Sequence, residues 1–360
     1  MTSARARLAL ASLAGLALLA GCQSPRRDAP PARATSARYL NEPLIRHRYS
    51  ADPSAHVFDG RIYLYASHDI DAGVPGSNDG DQYAMRDYHV YSMDRVGSPV
   101  TDHGRVLALE DIPWASRQLW APDAAQAGGR THLFFPAKDR EGVFRIGVAV
   151  GESPAGPFQA QPEPLAGAFS IDPAVFRDDD GEHYLCFGGL MGGQLQRWQG
   201  DRHDPARGLP AGDSPAAAPR VARLRPDLLA LAEPAREILL LDPAGRPLLA
   251  GDEARRFFEG AWIHKHQGRY YFSYSTGTTH RIVYATGDSP YGPFTYQGVI
   301  LKPVKGWTTH HSIVKHRGKW YLFYHDAQLS GHSNLRNVKV AALRHRADGS
   351  IETIDPFLSR

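Results

Sequence analysis

Cysteine is nearly absent from this chain: its 360 residues include only Cys22 and Cys186, which excludes a disulfide-rich scaffold. Long apolar stretches are missing as well. The apolar run near the N-terminus, residues 8–19, covers about 12 positions, fewer than the roughly 18 that a membrane-spanning helix needs.

An excess of charge of one sign is also missing once the N-terminal segment is set aside. The chain has a formal net charge of +3, but residues 1–38 contain six arginines and one aspartate. The remaining residues are therefore slightly acidic. Such a domain does not favour binding to nucleic acid.

The first 22 residues have the pattern of an export signal. Arg5 and Arg7 precede the apolar run, and the tetrapeptide LAGC that ends at Cys22 resembles the lipobox of bacterial lipoproteins. In such proteins the cysteine becomes the lipidated first residue. The pattern predicts that residues 1–22 are a lipoprotein signal and that Cys22 carries the lipid; an ordinary cleaved signal is the alternative.

Residues 23–38 are rich in proline, alanine and arginine, which predicts a disordered tether. Gln23 stands where an aspartate would favour retention in the inner membrane. We therefore expect an exported, lipid-anchored protein at the outer membrane or the periplasmic face of a Gram-negative bacterium. Its only contact with the membrane would be the lipid.

The rest of the chain, residues 39–360, repeats one hairpin pattern five times. Each copy has a Gly-centred turn followed by an aromatic strand. The turns are Asp59-Gly60, Gly128-Gly129, Asp180-Gly181, Gln267-Gly268 and Arg317-Gly318. The strands read RIYLYAS, RTHLFFP, EHYLCFG, RYYFSYS and KWYLFYH, and Cys186 in the third is expected to be a buried apolar residue. Five such hairpins predict an all-β fold, a five-bladed β-propeller.

Two intervals between repeats exceed the roughly 50 residues that suit one four-stranded blade. The surplus falls in residues 69–87, rich in glycine and aspartate, and in residues 199–236, rich in alanine, proline and arginine. Both segments predict loops, the second with a short helix at residues 224–231. Loops on one face of a propeller commonly shape its binding site.

Chemistry is expected where the repeats begin, because equivalent positions of a propeller converge on its axis. In the five copies this position is assigned to Asp52, Ala121, Asp172, Glu259 and His310. An Asp-Pro pair alone often opens a strand, but Asp52 and Asp172 both have it at repeat starts, which favours function. Glu259 is flanked by aromatic residues, so burial should raise its pKa, as a general acid requires.

His310 can ligate a hydrated divalent ion, bind a substrate or pack in the core. The convergent histidine and cysteine ligands that zinc prefers are missing around it in the sequence. The run Asp178-Asp179-Asp180 lacks the spacing of a calcium-binding hand, and it predicts a solvated turn.

The segments that carry these residues resemble a known family. YSADPSAHVF, WAPDA, FSIDPAVF, FFEGAWIHK and GWTTHHSIVKHRGKWYLFYHD are similar, in order and spacing, to the motifs of family 43 glycoside hydrolases. The resemblance runs from about Tyr39 to Ile354 and implies a five-bladed propeller that hydrolyses xylan or arabinan side chains or oligomers with inversion. One departure is EGAW where EGPW is frequent, which leaves the local turn less constrained.

The resemblance also implies roles for single residues. Asp52 matches the general base, Glu259 the general acid, and Asp172 the carboxylate that tunes the pKa of the acid and orients it. His310 matches a histidine that coordinates a central calcium or similar divalent ion in many members. No organic cofactor is implied.

Two further matches concern the sugar itself. Trp120 matches a position near the sugar-binding pocket, and Arg336 matches a late arginine that contacts sugar in some members. Inverting hydrolysis needs an acid and a base about 6.5–9.5 Å apart, so that a water fits between the base and the sugar.

These observations predict an exo-acting glycoside hydrolase that releases xylose, arabinose or both from plant hemicellulose oligosaccharides. The sequence is compatible with both a β-xylosidase and an α-L-arabinofuranosidase. An endo-arabinanase, which needs an open groove, is one alternative. A non-catalytic carbohydrate-binding propeller is another, and the presence of all three carboxylates argues against it.

Overall fold

The computed structural model describes residues 38–358, which form six small sheets, five of them arranged as the blades of a propeller. The predicted signal, Cys22 and nearly all of the tether lie outside the described residues. Helix in residues 38–358 is limited to three single 3-10 turns, at Leu109–Asp111, Met191–Gly193 and Leu195–Arg197. In this part of the chain no helix has the length and apolar character needed to cross a membrane.

The blades follow one another along the chain. Blade 1 contains β1 (Ser50–Phe58), β2 (Arg61–His68), β3 (Asp87–Met93) and β4 (Thr101–Ala108). Blade 2 contains β5 (Asp123–Ala127), β6 (Arg130–Lys138), β7 (Phe144–Gly151) and β8 (Gln159–Ala160). Blade 3 contains β9 (Ala174–Arg177), β10 (His183–Phe187), β13 (Arg220–Arg223) and β14 (Arg236–Glu237), and the hairpin of β11 (Trp198–Gln199) and β12 (Arg202–His203) is inserted into it.

The last two blades are less regular. Blade 4 contains β16 (Glu259–His266), β17 (Arg269–Ser275), β18 (Ile282–Gly287) and β19 (Phe294–Leu301), and β15 (Leu240–Leu241) pairs with β19 in parallel. Blade 5 contains β20 (His311–His316), β21 (Lys319–Asp326) and β22 (Asn337–Leu343).

The first strands of the blades form a closed ring. β1 contacts β5, β5 contacts β9, β9 contacts β16, β16 contacts β20, and β20 contacts β1 again. The segment before β1 supports this closure, because the Leu44 N–H donates to the Val338 carbonyl at 2.9 Å on the outer side of blade 5. The predicted five-bladed propeller is confirmed.

The Gly-centred turns have the backbone that the sequence requires. In four of the five predicted turns both central residues have positive φ, as at Asp59 (φ 50°) and Gly60 (φ 75°). This conformation matches the twist of the flanking strands, and glycine adopts it at little cost. The third turn is longer, with the Asp178 N–H donating to the Glu182 carbonyl, and only Gly181 has positive φ there.

The hydrophobic core lies between blades and is shared out around the ring. Tyr65 and Tyr88 of blade 1 pack with Phe135 of blade 2, and Tyr91 of blade 1 packs in a cluster with Phe323 of blade 5. Cys186 is fully buried within blade 3, as expected.

The two long insertions differ from expectation in one respect. Residues 69–86 form the predicted loop between β2 and β3. The helix predicted at residues 224–231 is wrong: Leu224 and Leu231 form an isolated β-bridge across a turn. Pro226 disfavours helical backbone at the residue before it, and Leu228 has a left-handed backbone (φ 58°), so the chain reverses instead of coiling.

Candidate active site

A cavity of about 610 Å³ lies where the first strands of the blades begin. All the site residues predicted within the folded domain line it: Asp52, Trp120, Asp172, Glu259, His310 and Arg336. Its volume is in the range of small-ligand sites, which are commonly about 300–1,000 Å³. Residues that are far apart in the sequence are therefore brought to one site by the ring.

Two of the carboxylates sit on strained backbone. Asp52 (φ 51°) and Asp172 (φ 56°) both have left-handed conformations, which cost a non-glycine residue roughly 1–2 kcal/mol. Such outliers persist only when surrounding contacts hold them, and they concentrate at functional sites. The shared conformation confirms that these two repeat starts are structurally equivalent.

The equivalence assigned to Glu259 is wrong by one residue. Ala51 pairs with Ser67 in blade 1, and Glu259 pairs with Ser275 in blade 4, so Glu259 corresponds to Ala51 and not to Asp52. In both blades the register then shifts at a β-bulge, which re-aims side chains. Gly260, with φ 69°, takes the position that corresponds to Asp52.

Asp52 is buried and held on several sides. Arg336 donates from Nη1 to Oδ1 at 2.8 Å and from Nη2 to Oδ2 at 3.2 Å. The Ser67 hydroxyl donates to Oδ2 at 2.8 Å, and the backbone N–H of Asp52 donates to His325 Nδ1 at 3.1 Å. The orientation of this carboxylate is thus fixed before any substrate binds.

Arg336 is in turn fixed by Asp69, the first residue of the loop between β2 and β3. Oδ2 of Asp69 accepts from Arg336 Nε at 2.8 Å and Oδ1 accepts from Nη2 at 2.7 Å. The Arg336 backbone N–H also donates to Asp69 Oδ2 at 2.7 Å. The guanidinium lies over the ring of Tyr83, 4.9 Å from its centroid. The charge beside Asp52 is therefore rigidly placed.

These contacts determine the charge of Asp52. Burial raises the pKa of this carboxyl, but the Arg336 guanidinium, aided by His325 and His310, outweighs burial and holds the pKa below its usual range. Asp52 is therefore ionised at neutral pH.

Asp172 forms a hydrogen bond with the backbone next to Glu259. Its Oδ2 accepts a hydrogen bond from the Gly260 N–H at 2.8 Å, and His310 Nδ1 lies 3.7 Å from the same oxygen. Burial raises the pKa of Asp172 to about 7; His310 opposes this rise, while Glu259 and Asp52 add to it. Asp172 thus fixes the residue that follows Glu259.

Glu259 is partly exposed to the cavity. Burial and the negative charge of Asp52 raise its pKa to about 8, against the lowering effect of Arg336. Among residues 38–358 no side chain or backbone group forms a hydrogen bond with its carboxyl group. At neutral pH Glu259 therefore carries a proton that it can donate to a bound molecule.

Trp120 supports the wall of the cavity. Its indole Nε1 donates to the Tyr83 carbonyl at 2.8 Å, and a Cβ on Gly80 would lie 2.5 Å from the indole ring. Gly192 also approaches the ring, and a Cβ there would meet it at 3.1 Å. The indole therefore holds the loop of residues 69–86 and the segment around Gly192 against the cavity.

Sequence reasoning missed several residues of the site. Asp69 was assigned to a loop, and nothing in its neighbourhood marks it as the partner of Arg336. His325 and Thr308 contact the pair of Asp52 and Arg336, and Trp307 is a partly exposed aromatic residue at the cavity. Trp307 stands in the quoted motif GWTTHHSIV, so an aromatic side chain beside a repeat start was the available signal.

The residues around His310 fit a hydrated ion and not a closed cage. His310 Nδ1 and Asp172 Oδ2 are the two atoms that could ligate an ion here. In residues 38–358 no third histidine or acidic side chain completes a cluster with them. Calcium takes about six to eight oxygen ligands, so most ligands of such an ion would be water.

A protonated carboxyl group and an ionised carboxylate that share one cavity are the acid and the base that a glycoside hydrolase needs. Residues 40–351 match the family described as "Glycosyl hydrolases family 43". The chain belongs to this family.

Similar proteins support the same assignment. A xylosidase/arabinosidase of Bacteroides ovatus is 54% identical over 323 residues, which cover 89% of this chain and 98% of that protein. A GH43 β-xylosidase/α-arabinofuranosidase from a compost microbial metagenome, solved with xylotriose in a calcium-free form, has a TM-score of 0.87 at 59% identity and covers 89% of this chain and 99% of its own. The GH43_1 enzyme of Xanthomonas citri, complexed with xylotriose, has a TM-score of 0.85 at 58% identity, with coverage of 89% and 94%.

Proposed function

We propose that this protein is an exo-acting glycoside hydrolase that releases xylose, arabinose or both from hemicellulose oligosaccharides, with inversion at the anomeric carbon. The observation that carries the proposal is that, within one cavity, Asp52 is ionised while Glu259 is protonated. Environments that push two carboxyl pKa values apart assign one group as acid and the other as base.

Glu259 acts as the general acid. Its pKa of about 8 keeps it protonated near neutral pH, and its carboxyl group faces the cavity. It donates its proton to the glycosidic oxygen as the bond from that oxygen to the anomeric carbon breaks. Without this proton the departing sugar would leave as an unstable alkoxide.

Asp52 acts as the general base. A carboxylate offers about four lone-pair sites, and Arg336 and Ser67 occupy three of them. The remaining site can accept a hydrogen bond from a water molecule. As this water attacks the anomeric carbon on the face opposite Glu259, its proton passes to Asp52. The proton then returns to solvent and Glu259 is reprotonated, which completes the cycle.

Asp172 positions the acid. Its hydrogen bond to the Gly260 N–H fixes the bulge that aims Glu259 into the cavity. The family resemblance also implied that Asp172 tunes the pKa of Glu259. The nearby charge that raises the pKa of Glu259 is that of Asp52, and the pKa of Asp172 is itself raised to about 7.

The walls of the cavity favour an exo-acting enzyme over an endo-arabinanase. Residues between Gly76 and Met85 close one side, and Leu190 to Gly193 close the neighbouring side. Arg197, four residues after the second segment, donates from Nη2 to Oδ1 of Asp79 in the first segment at 2.9 Å, which links the two walls. Relatives of this chain were solved with xylotriose, and a cavity of this size suits the end of such a short chain.

Trp120 and Arg336 are proposed to contact the sugar from the cavity wall, in addition to the structural contacts described above. His310, with Asp172 nearby, would hold a hydrated calcium or similar divalent ion. Such an ion would supply positive charge beside the carboxylates. The calcium-free form of a relative supports this proposal.

The N-terminal pattern supports a second, separate proposal: Cys22 is lipidated, and residues 23–38 tether the propeller to the outer membrane or the periplasmic face of a Gram-negative cell. An enzyme held there would act on oligosaccharides already small enough to reach it.

The proposed activity is tested by hydrolysis of nitrophenyl β-xyloside, nitrophenyl α-L-arabinofuranoside and debranched arabinan side by side. We expect turnover of one or both nitrophenyl glycosides, and an inverted anomer of the first product by NMR. Turnover of debranched arabinan alone would indicate an endo-arabinanase. Binding of sugars without turnover of any substrate would indicate a carbohydrate-binding protein.

A further inference from the structure

A cluster of two histidines and one aspartate lies at the base of the loop formed by residues 69–86. β2 ends at His68, and β3 begins at Asp87 and continues through His89. The pairing of Ser67 with Tyr88 and of Ala66 with His89 places these three residues on the same face of blade 1. The cluster is therefore built from both ends of the loop.

The ligand atoms of the three residues are spaced as around a single ion. His68 Nδ1 lies 2.7 Å and His89 Nε2 lies 3.8 Å from Asp87 Oδ1, and one ligand atom from each residue lies within 4.8 Å of the others. Two ligands bound to zinc at about 2.0–2.2 Å are about 3–3.5 Å apart. Small side-chain movements are enough to reach that arrangement.

The His89 imidazole packs against His68 and Tyr91 but forms no hydrogen bond within residues 38–358. Its side chain is buried, and Nδ1 has no hydrogen-bond partner. Nε2 lies too far from Asp87 for a hydrogen bond. Nε2, the nitrogen that faces Asp87, is therefore available to bind an ion.

The cluster can be reached from solvent. The side chains of His68 and Asp87 are 22% and 19% exposed, so an ion can enter from solvent and keep a water ligand.

We propose that His68, Asp87 and His89 bind a divalent transition-metal ion of the zinc class, which clips together the two ends of the loop of residues 69–86. Two imidazoles with one carboxylate favour zinc and its neighbours over calcium, which prefers oxygen ligands. The site is therefore chemically distinct from the hydrated ion proposed beside His310.

The bound ion would stabilise the cavity wall. The loop it closes supplies Gly80 and Tyr83 to the cavity, and its first residue, Asp69, fixes Arg336. An ion that joins His68 to Asp87 restricts both ends of this loop without touching the substrate. The proposal does not depend on the catalytic roles of Asp52 and Glu259.

Metal binding is measured on untagged protein by zinc competition with a chromophoric chelator and by the absorption spectrum of bound Co²⁺. We expect one zinc equivalent, and the same stoichiometry in Glu259→Gln and His310→Ala. Loss of a neighbouring support typically weakens a metal site 10–100-fold, so loss of a ligand in His68→Gln or Asp87→Asn should weaken binding by at least about 100-fold. Both positions are partly exposed, which protects the fold of these variants.

The matched control is His345→Gln, which disrupts the other histidine cluster, where His264 Nε2 and His345 Nε2 are 3.1 Å apart. Binding that is absent from the wild type, or that survives in both His68→Gln and Asp87→Asn, would overturn the proposed site. Loss of binding in His345→Gln alone would assign the ion to the other cluster.

The effect of the ion on the loop is tested by hydrogen exchange of residues 69–86. We expect zinc to slow exchange of this loop in the wild type and to leave it unchanged in His68→Gln. Equal exchange with and without zinc in the wild type would show that the ion does not hold the loop.

Discussion

Arg336 donates two hydrogen bonds to Asp52, from Nη1 to Oδ1 at 2.8 Å and from Nη2 to Oδ2 at 3.2 Å. Paired hydrogen bonds of this kind fix orientation as well as charge. The same guanidinium lowers the pKa of Glu259, so it acts on the proposed base and acid together.

Replacement of Arg336 should therefore shift the whole pH profile. In Arg336→Gln, burial of Asp52 is no longer opposed by the guanidinium, and the pKa values of both Asp52 and Glu259 rise. The alkaline limb of kcat/KM against pH should move to higher pH and an acid limb from Asp52 should appear, with a loss of at least about tenfold at neutral pH because part of Asp52 is protonated. Arg336→Lys keeps the charge and should shift the limbs less. Unchanged limbs in Arg336→Gln would contradict the pairing.

The wild-type enzyme should lose activity in mild alkali. Glu259 has its pKa raised to about 8 and must be protonated to act, so kcat/KM should fall as the pH rises through about 8. Asp52 is ionised throughout and contributes no acid limb near neutral pH. The profile is measured with xylobiose, whose leaving group needs the proton. A flat profile up to pH 9 would remove Glu259 from this role.

The two carboxylates should differ in their dependence on the leaving group. Asp52→Ala should lose on the order of 10²–10⁴ in kcat on every substrate, because each needs an activated water. Glu259→Ala should show such losses with xylobiose but smaller losses with nitrophenyl β-xyloside, because nitrophenolate leaves without a proton. Equal losses for both leaving groups in Glu259→Ala would contradict the assignment of the acid.

An ion beside His310 should be removable. EGTA, which prefers calcium, should lower activity or the melting temperature of the wild type, and added calcium should restore it. His310→Ala should not respond to either treatment. A wild-type enzyme whose activity and melting temperature are both indifferent to EGTA would speak against the ion.

The mature N-terminus should be a lipidated cysteine. Mass spectrometry of protein extracted from the membrane fraction should find diacylglyceryl Cys22, and Cys22→Ser should move the enzyme to the soluble fraction. A mature chain that begins at another residue without lipid would contradict this prediction.

Much of the site could be predicted because several of its residues stand at the start of a repeat. Each blade reuses a hairpin whose turn and aromatic strand are local, so Asp52 and His310 could be aligned by counting back from the Gly-centred turns, and Asp172 by the Asp-Pro pair that it shares with Asp52. The failures share one cause. A helix at residues 224–231 and an exact equivalence of Glu259 were inferred from local patterns, and pairing with distant segments decided otherwise.

The sequence by itself determined the number of blades, the family motifs and the identity of the carboxyl groups, since turns, alternating strands and charges are local properties of the chain. Only the tertiary structure decided the surroundings that set the pKa of each carboxyl group. These surroundings include Arg336, which Asp69 holds in place, and the bulge before Trp262, which ring closure brings together. Charges act through space, so the pKa of each group is set by neighbours that the linear sequence does not show.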